Sequence, residues 1–178
     1  MNIICYTGGT CGDLVTSVID DTDSILFGSK IKTSMIRSKL NTGMIDMSEI
    51  DLLNYIELMK VSYLSIPSHR IEFHMKHGHD YITVYVDNFD DALWCANRFK
   101  KLHPNFVWTN LMGDSPVEDY ANIVLNSSKF MAENTDKVIL LKDILNGNLF
   151  DSLSKYVATP LNQKLYKYWL AKQSYPKV

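Results

Sequence analysis

The stretch that most restricts the fold is the first thirteen residues, MNIICYTGGTCGD. "NIICY" is a continuous apolar run, the pattern of a strand covered on both faces in a parallel sheet. Gly8, Gly9 and Gly12 interrupt it, and Leu14, Val15, Val18 and Ile19 then repeat at helical spacing. A strand, a glycine turn and a helix in that order place backbone N–H groups beyond the carboxyl end of the strand, where α/β sheets bind anions. Gly8, Gly9, Thr10, Cys11, Gly12 and Asp13 are therefore the candidate cofactor-binding residues. Their chemistry opposes their shape. The phosphate-loop pattern needs a lysine and a hydroxyl after its last glycine, whereas Gly12 is followed by Asp13 and Leu14. A carboxylate there suits the helix dipole but repels a phosphate, by about 1 kcal/mol at 4 Å in water and several-fold more near a protein surface. Two readings stand side by side: an anion site, or a tight strand-to-helix turn that carries its own internal anion.

The rest of the chain alternates strand and helix patterns, which predicts an α/β fold with a doubly wound, mainly parallel sheet and flanking helices. Ser48 and Asp51 form a capping-box pattern ahead of a stripe at Ile50, Leu53, Ile56 and Met59. "SYLSI" reads as a strand that stops at Pro67, and "DYITVYV" as a strand near the sheet centre. Asn88 is the expected N-cap of the next helix, with Asp90 and Asp91 in its first turn. "KVILL" is a further strand, "DILNGNLFDSLSKYV" reads as helix, and Thr159 with Pro160 is expected to open a last helix with Leu161, Leu165, Tyr168 and Trp169 facing inward. Residues 24–46 read as an excursion of short extended pieces and turns, and 104–116 as an aromatic loop. At 178 residues one domain over 1–178 is expected.

Composition narrows the function classes. Eighteen basic and twenty acidic residues are interspersed for a net charge of −2, so no nucleic-acid or anionic-lipid surface is indicated. Cys5, Cys11 and Cys95 form no CxxC pair and read as thiols of a reducing, cytoplasmic setting. No apolar run approaches a membrane span, and the N-terminus reads as strand rather than leader.

The order of later segments carries a resemblance. The strand and turn at 2–13, "SIPSHR" at 65–70, "ITVYVDNFDDALWCANRF" at 82–99, "VILLKDIL" at 138–145 and "KYVATPLNQKLYKYWLAKQ" at 155–173 resemble successive landmarks of the sulfotransferase-like P-loop fold. A short chain of this kind is similar to small phage- or virus-encoded members, which implies a place in the host cytoplasm or the virion. In that family the first turn binds the 5′-phosphosulfate of the donor, a Lys-Thr-His segment carries the catalytic base, and an Arg-x-Pro-x-Asp turn with a later serine holds the 3′-phosphate. The resemblance puts His69 at the general base, with Pro67 and Ser68 for the lysine and threonine. Asp91 agrees with the family's aspartate, but Asp87 stands at the arginine, Phe89 at the proline and Cys95 at the serine. Both phosphate subsites have thus exchanged cationic or hydroxyl groups for acidic or apolar ones, and a buried phosphate needs charge-assisted hydrogen bonds. The resemblance therefore implies a degenerate donor site in a viral accessory, structural or protein-interaction component with a protein partner and possible self-association; the cofactor stays open on this reading. The alternative is a nucleotide-dependent transferase, sulfuryl or phosphoryl, that takes phosphoadenosine phosphosulfate or another nucleotide at residues 8–13 and uses His69. "GGTCGD" is also similar to the first turn of glycosyltransferases built from two Rossmann-like halves, which would make the chain a half-domain needing a partner.

Two other constellations stand out. His69, His74, His77 and His79 fall within eleven residues, a density that can serve a metal. With neither HExxH nor paired cysteines, the segment reads instead as a solvated helix and turn, and no metal is expected. Trp94 and Trp169 fit helix faces and core packing, Trp108 is the tryptophan to expect at a partner contact, and Cys11 reads as an inert thiol opposed by Asp13.

Overall fold

The computed structural model describes residues 1–20, 48–59, 65–103 and 115–172. The excursion expected over 24–46 and Trp108 lie outside these residues. Four strands form an all-parallel sheet: β1 Asn2–Cys5, β2 Ser65–Ser68, β3 Ile82–Tyr85 and β4 Val138–Leu140. Their spatial order is β2-β1-β3-β4, so β1 and β3 are central. The α/β class is as expected, and "mainly parallel" becomes wholly parallel among the described strands. The chain moves from β1 to one edge and then returns across it, so the strand order reverses between β1 and β3. In open parallel sheets that reversal opens a crevice beyond the carboxyl ends of the strands.

Helices flank the sheet: α1 Gly12–Ile19, α2 Glu49–Met59, α3 Ile71–Lys76, α4 Phe89–Leu102, α5 Pro116–Glu133, α6 Leu141–Leu145, α7 Leu149–Leu153 and α8 Gln163–Lys172. Ile4, Ile82, Val84 and Ile139 from three strands meet Val15, Val18, Ala92, Val124, Leu149 and Trp169 in the main core. A second, smaller cluster joins Leu52 and Ile56 of α2 to Ile66 of β2 and Phe73 of α3.

Local signals hold where side chain and backbone satisfy each other directly. Ser48 Oγ accepts from the Asp51 N–H at 3.2 Å, the cap expected there, and donates to the Asp51 carboxylate at 2.6 Å. Asn88 Oδ1 accepts from the Asp91 N–H at 2.9 Å.

Three boundaries differ. Pro67 lies inside β2, opposite Ile4, rather than ending it. β2 is an edge strand, which needs ladder hydrogen bonds on one side only and so tolerates the missing N–H. The helix expected over "DILNGNLFDSLSKYV" breaks into α6 and α7 at Gly147, whose φ is +93°. The last helix starts at Gln163 with Asn162 as its cap, its Oδ1 accepting from the Leu165 N–H at 2.8 Å, in place of Thr159 and Pro160. That shift turns Tyr166 inward, while Tyr168 remains exposed.

Candidate functional site

The turn after β1 is held from behind by two helices. Arg98 of α4 donates from Nη1 to the Gly9 carbonyl at 3.1 Å, and Tyr120 of α5 donates to the Gly8 carbonyl at 3.3 Å. Gly9 has φ +93°, and a Cβ there would lie 2.4 Å from the Cys95 carbonyl oxygen, so α4 can pack this closely only against glycine. At Gly12 the Tyr6 ring occupies the place of a side chain, 2.0 Å from an ideal Cβ. Cys11 carries the bend with φ 68°, and Thr10, fully buried, spends its hydroxyl on the Thr7 carbonyl at 2.8 Å.

The N–H groups of Gly8, Gly9, Cys11, Gly12 and Asp13 have no hydrogen-bond partner among the described residues. Asp13 does not close them: its exposed carboxylate turns to the Tyr6 hydroxyl at 2.5 Å, and α1 has no side-chain cap. The turn thus offers main-chain donors with a carboxylate beside them, and its cation, Arg98, is engaged on the Gly9 carbonyl. Cys11 and Cys95 are buried, and burial pushes both thiols up, so neither is a nucleophile at neutral pH.

Tyr6 also joins the turn to His69. The His69 Nδ1 lies 2.5 Å from the Tyr6 carbonyl, and the two rings are 4.4 Å apart. A carbonyl only accepts, so Nδ1 carries the proton and Nε2 is the basic nitrogen, on an exposed side chain. His69 opens onto a cavity of about 420 Å³ lined by Glu49, Arg70, Ile71, Glu72, Phe73 and Lys76. Lys76 is paired with Glu49 across it at 2.7 Å.

Asp87 and Asp91 follow β3. Asp91 is buried and bound to the Asn88 side chain at 2.9 Å, so it serves the start of α4. Asp87 accepts from Lys142 of α6 at 2.7 Å and from Asn88 at 3.0 Å. The Lys142 ammonium holds the Asp87 carboxyl below its ordinary value, and Asp87 raises Lys142 in turn.

No protein-family model, curated protein or solved structure matches the chain.

The structure thus brings residues 8–13 and His69 together through Tyr6, while Asp87 and Asp91 stand in separate contacts of their own. Three contributors escape a reading of the turn alone: Tyr6, Arg98 and Lys142. Tyr6 closes the first strand, and Arg98 follows Cys95 by one helical turn, a spacing that puts both against one neighbour. Nothing local to Lys142 points to Asp87, fifty-five residues away. Among the described residues no three His, Cys, Asp or Glu side chains are arranged to hold a metal ion.

Proposed function

We propose that this chain is a sulfotransferase-like α/β protein whose bisphosphonucleotide donor site has lapsed, and that it works through its surface as an accessory, structural or protein-interaction component. The observation that carries this reading is the Asp87–Lys142 pair. At the position where the resemblance calls for an arginine, the chain supplies a carboxylate, and the nearest cation is already neutralised by it. The residue at the family's serine, Cys95, is fully buried and offers a 3′-phosphate no hydroxyl. A phosphate entering there would have to displace the Asp87–Lys142 ion pair and face Asp87 itself.

A second reading, nucleotide-dependent sulfuryl or phosphoryl transfer, draws support from the unpartnered amides of the first turn and from the basic Nε2 of His69. Calorimetric titration with 3′-phosphoadenosine 5′-phosphosulfate, its desulfated product and ATP separates the two. The lapsed-site reading expects no binding in the micromolar range, and micromolar binding of any of the three overturns it. The transferase reading expects nucleotide binding together with a turnover that His69→Ala lowers by about 10²-fold or more.

A further inference from the structure

The segment after β2 is the largely solvated helix and turn its polarity predicts, with one exception among its histidines. His74 is fully buried. Its Nε2 lies 2.7 Å from Ser68 Oγ, at the end of β2, and its Nδ1 lies 3.1 Å from Nδ1 of His79. Ser68 Oγ also accepts from the Arg70 N–H at 3.1 Å. The chain reaches this arrangement through the end of α3. Gly78 takes φ +63°, its N–H bonds to the Met75 carbonyl at 3.1 Å, and the His79 N–H bonds to the His74 carbonyl at 2.9 Å. These two bonds are the Schellman pattern, which folds His79 back onto the helix it follows.

Two facing imidazole nitrogens at 3.1 Å bond only if one carries a proton and the other a lone pair. Protonating both Nδ1 atoms puts two N–H groups face to face and a charge on the His74 ring, which is fully buried. We propose that the contacts Ser68–His74–His79 form a proton-operated latch that fastens α3 to the end of β2 and releases it when the two facing imidazole nitrogens are both protonated on acidification. The surrounding charges favour release once a proton enters. Arg70 at the start of α3 and His77 at its end add positive charge, and Phe73 packs against the rings of His74, His77 and His79. On α2, Glu49 reaches His77 at 3.7 Å and pairs with Lys76, and Tyr55 packs on the same apolar cluster, so the compensating carboxylate is spent on the outer groups. Glu72, on α3 itself, is exposed. Because α3 carries Ile71, Glu72, Phe73 and Lys76 of the cavity wall and directly follows His69 and Arg70, release of the latch opens the cavity from one side.

The test is a pH titration of the whole chain by nuclear magnetic resonance, following the imidazole nitrogens together with amide hydrogen exchange. His74 is expected to stay neutral at pH 6, and the His74 and His77 amides, corrected for intrinsic exchange, to exchange roughly 15-fold faster at pH 5 than at pH 6.5. The amides of Val84 and Ile139 in the central sheet are expected to change far less. His79→Gln gives the second arm. Glutamine can accept from a protonated His74, so the His74 midpoint is expected to rise by a unit or more, a proton affinity roughly tenfold higher. A wild-type His74 that titrates at the ordinary histidine value, exchange of α3 that ignores pH, or an unchanged midpoint in His79→Gln overturns the latch.

Discussion

Gly9 and Gly78 both have positive φ, yet their surroundings differ. An alanine at Gly78 meets nothing within 4 Å, so its cost is conformational alone, about 1 kcal/mol. At Gly9 the same methyl group meets the backbone of Cys95, which cannot swing aside as a side chain would. Gly9→Ala is therefore expected to cost about 2 to 4 kcal/mol, strain and overpacking together, and Gly78→Ala about 1. Urea denaturation of the two variants beside the parent chain measures both, and equal losses would contradict the close approach of α4. The glycines of the first turn are legible in the sequence because glycine is the residue a bend favours. That Tyr6 and Cys95 are what the missing side chains make room for is not legible, since both contacts form across the fold.

At the scale of elements, the end of β2 with α3 is the segment most sensitive to pH. Burial, with help from His79, Arg70 and His77, pushes His74 down from 6.5 to about 4. Between those values the unfolded chain binds the proton and the folded chain does not, so stability rises with pH. The contribution is complete above pH 6.5 and is lost as pH falls toward 4, at about 1.4 kcal/mol per pH unit and up to ~3 kcal/mol in all. Urea midpoints at pH 7.5 and pH 5 are expected to differ by about 2 kcal/mol once converted, with the lower value at pH 5. Element starts with short-range caps, at Ser48 and Asn88, could be read directly, because donor and acceptor lie three residues apart. The start of α8 could not: Thr159 and Pro160 satisfy the same local rule as Asn162, and the choice falls where Leu165, Tyr166 and Trp169 reach the core.

Across the whole molecule, the main core ties the carboxyl-terminal helices to the central strands. Leu149 is fully buried in the cluster that holds Ile139, Ile144, Leu153 and Tyr166, and Tyr166 donates to the Ile144 carbonyl at 2.6 Å. Leu149→Ala is expected to cost about 3 kcal/mol, read by thermal unfolding as one cooperative transition at a lower midpoint. A second transition, with the sheet surviving the loss of α7 and α8, would mean that these helices are not part of that core. No described helix is long and apolar enough to cross a membrane.

The α/β alternation, the central place of the first and third strands and the glycine turn at the sheet's carboxyl end are legible in the order of residues. Each follows from periodicity and from backbone preferences that act over a few residues. What the anion-shaped turn is connected to emerges only when distant segments pack. Arg98 and Tyr120 reach its carbonyls across 89 and 112 residues, Asp13 turns to Tyr6 and not to the turn amides, and Lys142 neutralises Asp87 from just beyond the neighbouring strand β4. A charge at a given position has no fixed meaning until its partner is placed. Only folding sets those distances, and His74, polar in the sequence and buried in the structure, follows the same rule.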